Sequence, residues 1–500
     1  MLPSQPITAR SQPLAPSGKL RGLPDICALS TIGLVLAYAV FAWGGVLRSD
    51  QYRYLLVLGL LAVALSLARP RRQWAPLPGR VLRWGLALLP AYVLMQVAPL
   101  PVHLARVLSP ARTASMPPAA LIGRPANFVT LSVSPVATMQ SFLLVCGYVI
   151  VFLLMRDLTW RFVDKRWLAV WPIVAIGALE AALGLFQNFG RGVDQLRWGT
   201  YVNHNHYAGF LEMALPFAVV YPVALWRRTR SRGLAGTAPA LAACGVWALA
   251  GLIFAAIVFS FSRMGFIATL ASLFVMAALA FGTRQLSWAA RSSKRQIGTV
   301  SLAAALVLAG FVFLPPDKLI ARFVQLVSTD PTGGGRAQLW AETIPMIRAY
   351  PVFGCGLGGY ETAFMRFKVS APLVTDDFAH NDYLQLLAEL GLAGFAIGAA
   401  MAFSVVRTAV RNAVGSRDPG ARYFAVACAG ALAAILVHSL ADFNLYIPAN
   451  AMLVAWIAGM TVGARGLPLF DCRLTEEEVA VRVFPSAIAS QQSIISNYRR

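Results

Sequence analysis

Three short clusters in this chain have the residue types and spacing for chemistry. Ala379-His380-Asn381-Asp382-Tyr383 stands just before a long apolar stretch, Asn203-His204-Asn205-His206 stands just before another, and Arg263 lies where two apolar stretches meet with almost no loop between them. A histidine titrates near neutral pH, which suits it to take a proton from a hydroxyl group. Asp376, Asp377 and Asp382 are the nearby carboxylates available to orient His380. Positioned guanidinium groups stabilise negative charge, most effectively on phosphate oxygens. Arg263 is read two ways, as a side chain snorkelling to lipid phosphate or as a fixed contact to a diphosphate.

Arg336 belongs with these groups. It opens a segment in which Leu339, Trp340, Ile344 and Ile347 recur at helical spacing, with Arg348 in the last turn. That pattern predicts an amphipathic helix lying against the rest of the protein. A cation in the first turn opposes the helix dipole, which points to another partner for Arg336. The helix should stop at Tyr350-Pro351. Gly354, Gly356, Gly358 and Gly359 follow, and suit either a tight turn or a backbone nest for an anion.

The elements that must position these clusters are membrane helices. Hydrophobic residues make up 58% of the 500 and charged residues only 13%, and apolar runs of bilayer-spanning length recur along the chain. Twelve spans fit, at about 26–47, 54–68, 82–100, 138–155, 167–187, 207–226, 239–260, 264–281, 297–315, 384–405, 421–441 and 447–464. The fold class is therefore all-α and polytopic, with a cytoplasmic tail at 1–25, spans one to nine over 26–315, a long loop at 316–383, spans ten to twelve over 384–464 and a second cytoplasmic tail at 465–500. The net charge of +22 would suggest nucleic acid in a soluble chain. Here the Lys and Arg concentrate in alternate loops, so they set orientation by the positive-inside rule and nucleic acid is not an expected partner. Both termini fall on the cytoplasmic side, and the clusters above on the outer side. The first span reads as a retained anchor. Of the six cysteines only Cys355 faces outward, which excludes an intramolecular disulfide there.

Spans one to three carry few polar residues and read as scaffold. Between spans three and four, Thr130, Ser132 and Ser134 alternate with Val129, Leu131 and Val133, the period of a short strand or hairpin. The loop after span five holds Arg191 and Arg197 ahead of His204, Asn205 and His206. Three accounts of that arrangement stand: Asn capping of a helix, a metal site, or a pocket for a polar or anionic substrate. Glu212 and Glu389 fall inside spans, where a carboxylate faces a partner or a cavity. His438, Asp442 and Asn444 close span eleven near the outer face.

R-x3-W at Arg336, P-x2-G-x-G-x-G at Pro351, A-H-N-D-Y-L-Q at Ala379 and E-L-G-L-x-G at Glu389, supported by S-R-x-G at Ser262 and N-H-N-H at Asn203, resemble the O-antigen ligase superfamily, which includes the Wzy-type polysaccharide polymerases. The resemblance covers roughly residues 200–445. It implies a GT-C-like membrane glycosyltransferase, with no metal or other cofactor, in the bacterial inner membrane and working at its periplasmic face. The donor would be an undecaprenyl-diphosphate-linked glycan, and the acceptor a hydroxyl of a glycan, lipid A core or second lipid-linked repeat, with inversion at the anomeric carbon. The family's loop histidine would be His380 and its diphosphate arginines Arg263 and Arg336, with Arg191 or Arg197 a further contact. His204, Asn205, His206, Trp340, Asn381, Asp382, His438 and Asp442 complete the candidate substrate-binding set. The family's ligases, its polymerases and its O-oligosaccharyltransferases, which use protein hydroxyls as acceptors, share these motifs. A transporter of lipid-linked sugars is the competing class, but transporters bind at the midplane and carry repeats, whereas the polar groups here gather at one face. A structural subunit of an export complex would leave His380, Arg263 and Arg336 replaceable.

Overall fold

The computed structural model describes residues 23–70, 73–116, 127–163, 165–188, 198–231, 237–285, 336–369 and 376–464. The expected ninth span, Arg191, Arg197, residues 1–22 of the first tail and all of the second tail lie outside them. Helices dominate: α1 (Leu23–Phe41), α2 (Arg48–Ala68), α3 (Arg80–Val97), α4 (Val102–Leu108), α5 (Pro110–Ala114), α6 (Pro135–Arg161), α7 (Trp171–Asn188), α8 (His204–Ser231), α9 (Thr237–Phe259), α10 (Arg263–Gln285), α11 (Arg336–Ala349), α12 (Tyr360–Phe364), α13 (Asp382–Gly415), α14 (Pro419–His438) and α15 (Pro448–Gly463). Among the described residues nine are long and apolar enough to cross a membrane. With α3 and the shorter α15, eleven of the twelve expected spans coincide with helices. The alternating segment forms a strand only at Phe128–Val129, paired antiparallel with Leu100–Pro101. Beyond it the chain turns inward, where Ser132 is buried and bonded to Thr138.

Contacts between helix ends place the starts of α2, α6, α8, α10, α13 and α15 at one end of the bundle with the finish of α14. The finishes of α2 and α6 share the other. There Arg69 and Arg161 each face both Asp25 and Asp157, at 3.0 Å for Arg69 to Asp157 and 2.9 Å for Arg161 to Asp157. All four side chains are buried, and opposite charges in balance make that burial tolerable. Arg69, expected only to set topology, thus also ties three helices together.

At the first end α13 is broken. Gly391 sits at φ 61° and ψ −175°, a region open in practice to glycine alone, and the helix hydrogen bonds lapse around it. The glycine-rich segment after Pro351 fills the gap. The Ala388 and Glu389 carbonyls accept from the Cys355 and Gly356 amides at 3.0 Å each, while the Leu392 and Ala393 amides donate to the Pro351 and Val352 carbonyls at 2.8 and 3.1 Å. Backbone freed inside a membrane protein has to be satisfied internally, and this pairing does so. A Cβ on Gly391 would lie 2.3 Å from the Val352 carbonyl oxygen. Gly391→Ala is therefore expected to destabilise the protein by about 3 kcal/mol, measured as a fall in the thermal unfolding midpoint in detergent.

Between the two accounts of the glycine run, turn and anion nest, the structure combines both. The anion is internal: the Glu389 carboxylate accepts from the Gly358 and Tyr360 amides at 2.8 and 3.1 Å, from the Tyr446 hydroxyl at 2.7 Å and from Gln385 Nε2 at 3.3 Å. Four donors for one carboxylate repay much of the cost of burying it. Glu389 thereby joins the glycine segment, the first half of α13 and the turn after α14.

Candidate functional site

The site is assembled from five chain segments that meet at the first end of the bundle. α13 begins there because Asn381 caps it, its Oδ1 accepting from the Tyr383 and Leu384 amides at 3.0 and 3.1 Å. The Asn381 Nδ2 donates across to the Leu440 carbonyl at 2.9 Å. Asp382, fully buried, accepts from Ser439 Oγ at 2.7 Å and from the Leu445 amide. Together these bonds lock the start of α13 to the turn that follows α14. His380, immediately before the cap, is held at φ 48°, the left-handed region that few residues other than glycine adopt.

That turn carries Asp442, and Asp442 is where the candidate residues converge. Its side chain has no exposed surface, yet Oδ1 lies 3.4 Å from His380 Nδ1 and 3.5 Å from His206 Nε2, and Oδ2 lies 3.7 Å from Arg336 Nη2. Oδ1 also accepts from the Phe443 amide at 2.8 Å. Burial by itself would raise the Asp442 carboxyl, but the two histidines outweigh it and hold the group well below the usual carboxylate range. Arg336 finds its partner here, since Nη1 also donates to the Ala441 carbonyl at 2.6 Å. The orienting carboxylate for His380 is thus Asp442. Its sequence neighbours are engaged elsewhere, Asp376 by Lys368 and Asp382 by Ser439.

The His380 ring is one-third exposed (33%), with Nδ1 buried against Asp442, so the nitrogen open to a reactant is Nε2. Phe443 fixes the plane of both rings, meeting His380 and His206 edge-on with centroids 4.8 and 4.5 Å away, and Phe378 stacks on Phe443 at 4.1 Å. This arrangement leaves one basic nitrogen facing outward, backed by a carboxylate and flanked by a guanidinium.

The two flanking motifs interlock. Ser262 Oγ donates to Asn205 Oδ1 at 2.7 Å and accepts from the Gly265 amide at 3.0 Å, so one hydroxyl caps α10 and ties it to α8. Asn203, rather than Asn205, caps α8 by accepting from the Asn205 amide at 2.8 Å. His204 Nδ1 faces the Ser260 carbonyl at 3.1 Å and its ring packs on Trp198, whereas His206 goes to Asp442. The rings diverge, and among the described residues no group of three His, Cys, Asp or Glu side chains is placed to hold a metal ion. Arg263, next to Ser262, is half-buried and has no hydrogen-bond or ion-pair partner among the described residues. A guanidinium so placed is available to an anion from outside.

The remaining candidates are occupied by the protein itself. The Trp340 indole N–H donates to the Ala379 carbonyl at 2.9 Å. His438 faces Glu212 at 3.0 Å, both fully buried, so Glu212 has the partner its place inside a span required. Arg191 and Arg197 lie outside the described residues. Residues that sequence reasoning did not single out include Phe443 and Asn450, whose Nδ2 donates to the His206 carbonyl at 2.9 Å. Neither carries a sequence signal; only the pairing of α8 with the turn before α15 brings them to the site.

Residues 248–399 match the Wzy_C family model, described as O-Antigen ligase. The matched stretch includes Arg263, Arg336, Trp340, His380 and Glu389. It begins after His206 and ends before Asp442, so two partners of the His380 cluster lie beyond it. No curated protein matches the chain.

Proposed function

Because the chain belongs to the O-antigen ligase superfamily, we propose that it is a membrane glycosyltransferase that moves a glycan from undecaprenyl diphosphate to an acceptor hydroxyl. The observation that carries this reading is the fully buried Asp442 facing His380, His206 and Arg336 behind an accessible His380 Nε2. In the proposed reaction the acceptor hydroxyl gives its proton to His380 Nε2 as its oxygen bonds to the anomeric carbon. The bond from that carbon to the diphosphate oxygen breaks, and the lipid diphosphate leaves with the electron pair. A single displacement inverts the anomeric centre. A diphosphate needs no general acid to leave, so the protein's remaining task is to stabilise its growing charge, which Arg263 and Arg336 are suited to do. Asp442 holds the His380 ring and balances the imidazolium formed.

The cluster lies at the end of the bundle opposite the Asp25–Arg69–Asp157–Arg161 network, and the excess of basic residues on that opposite side argues for a periplasmic site in the bacterial inner membrane. Expected partners are the donor lipid, surrounding membrane lipids and an acceptor glycan, either lipid A core or a second lipid-linked repeat.

The test is transfer by the purified protein from a polyprenyl-diphosphate glycan, in EDTA, with each acceptor offered separately. Product from lipid A core alone assigns a ligase, and product from the second repeat alone a polymerase. Movement of the intact lipid-linked glycan with no bond cleaved would replace transfer by transport. In the same assay Arg263→Ala is expected to lower kcat/KM for the donor about tenfold, the worth of one charge-assisted hydrogen bond.

A further inference from the structure

Resting on the reading of His380 as the base, we propose that Trp340 and Gln385 are positioning residues that grip the two peptide groups flanking Ala379 and so keep the His380 ring on Asp442. Ala379 is fully buried, and both of its backbone polar atoms are held by side chains. The Trp340 indole donates to its carbonyl at 2.9 Å, and Gln385 Oε1 accepts from its amide at 2.5 Å. The Gln385 amide cannot turn over, because its Nε2 donates to the Glu389 carboxylate that the glycine segment encloses. On the far side of His380 the Asp382 amide donates to the Ser439 and Asp442 carbonyls, at 3.0 and 3.1 Å.

His380 is thus clamped before and after, at a φ of 48° that a free loop would leave. Backbone strain of this kind persists only when the surroundings over-determine it. Trp340 and Gln385 supply that constraint on the N-terminal side. The glycine segment acts at one remove: it fixes Glu389, Glu389 fixes Gln385, and Gln385 fixes the peptide before the base.

Trp340→Phe removes the indole donor and keeps an aromatic ring in place, while Gln385→Met removes both side-chain bonds at similar volume. Each is purified in lipid nanodiscs, and only folded protein is compared. The expected result for Trp340→Phe is a kcat lowered about tenfold, equivalent to one lost hydrogen bond at a strained position, with both KM values unchanged. Independently of turnover, carbethoxylation of His380 by diethyl pyrocarbonate, followed by peptide mass spectrometry, should accelerate several-fold as the ring leaves Asp442. The exposed His103 is the internal reference and should not change. Gln385→Met should behave likewise, which keeps the test decisive if one variant fails to fold. A raised KM at unchanged kcat would make Trp340 a substrate contact and overturn the proposal, as would His380 reactivity equal to wild type in both variants. If the wild-type protein transfers nothing, the functional reading fails, and the His380 modification rates still decide the positioning.

Discussion

His380→Ala is expected to lower the turnover number for glycan transfer about 10³-fold, with the KM for the donor changed little. General-base catalysis by a placed histidine contributes on that order. The donor's diphosphate would still meet Arg263 and Arg336, neither of which depends on the imidazole, so donor binding should survive. The residual rate should no longer depend on the protonation of this ring. His380→Gln, which keeps a polar side chain without a basic nitrogen, should be as slow as the alanine variant. Full activity in either would remove His380 from the reaction. Equal losses of donor binding and turnover would instead make it a binding residue.

Asp442→Asn comes next in size, with turnover expected to fall about a hundredfold or more. A carboxamide turns an N–H toward one of its neighbours, and His380 Nδ1 loses the acceptor that keeps Nε2 as the free base. The same substitution leaves the imidazolium formed during transfer without its counter-charge, and Arg336 without its anion. The pH dependence follows from the depressed carboxyl of Asp442. Its folded-state value lies below the unfolded one, so its contribution to stability is fully present above the unfolded value of about 4 and is lost only as pH falls below it toward the folded value. Between pH 5 and 8 Asp442 stays ionised, and the deficit of Asp442→Asn should not be recovered by raising the pH across that window. Recovery of wild-type turnover at the alkaline end would show that Asp442 acts by setting the protonation of a neighbouring group rather than by holding His380.

The membrane helices are legible in the sequence because twenty apolar residues in a row admit few other readings, and eleven of the twelve expected spans coincide with helices. Their ends are legible too, since His204, Arg263, Arg336 and His380 each open a helix or directly precede one. What the sequence does not display is which ends meet. Asp442 lies 62 positions beyond His380, and only the lock between Asn381, Asp382 and the turn after α14 brings the two together. The nearby Asp376 and Asp382 are equally suitable by position, yet Lys368 and Ser439 have taken them. The glycine run is ambiguous for a related reason. Glycines announce close backbone approach without naming what approaches, and here it is the broken turn of α13 and the Glu389 carboxylate. The buried face of α11 differs from the one its apolar spacing predicts: Leu339, Thr343 and Met346 are buried while Ile344 is exposed, because the helix packs against the small cluster around Tyr350 and Tyr360. Trp340 stands out as an aromatic near a candidate site, where a substrate contact and a hydrogen bond to backbone look alike.

The central claim is that His380 and Asp442 work as one base, and a double-mutant cycle on the transfer rate tests it most directly. Turnover would be measured for wild type, His380→Ala, Asp442→Asn and the double variant, all folded and at saturating donor and acceptor. If Asp442 acts through His380, removing it from a protein that already lacks the imidazole costs only what Arg336 loses with its anion, far less than the roughly hundredfold loss from the single substitution, and the double variant should stay close to His380→Ala. Losses that multiply in the double variant would mean that the two residues act separately, which contradicts a paired base.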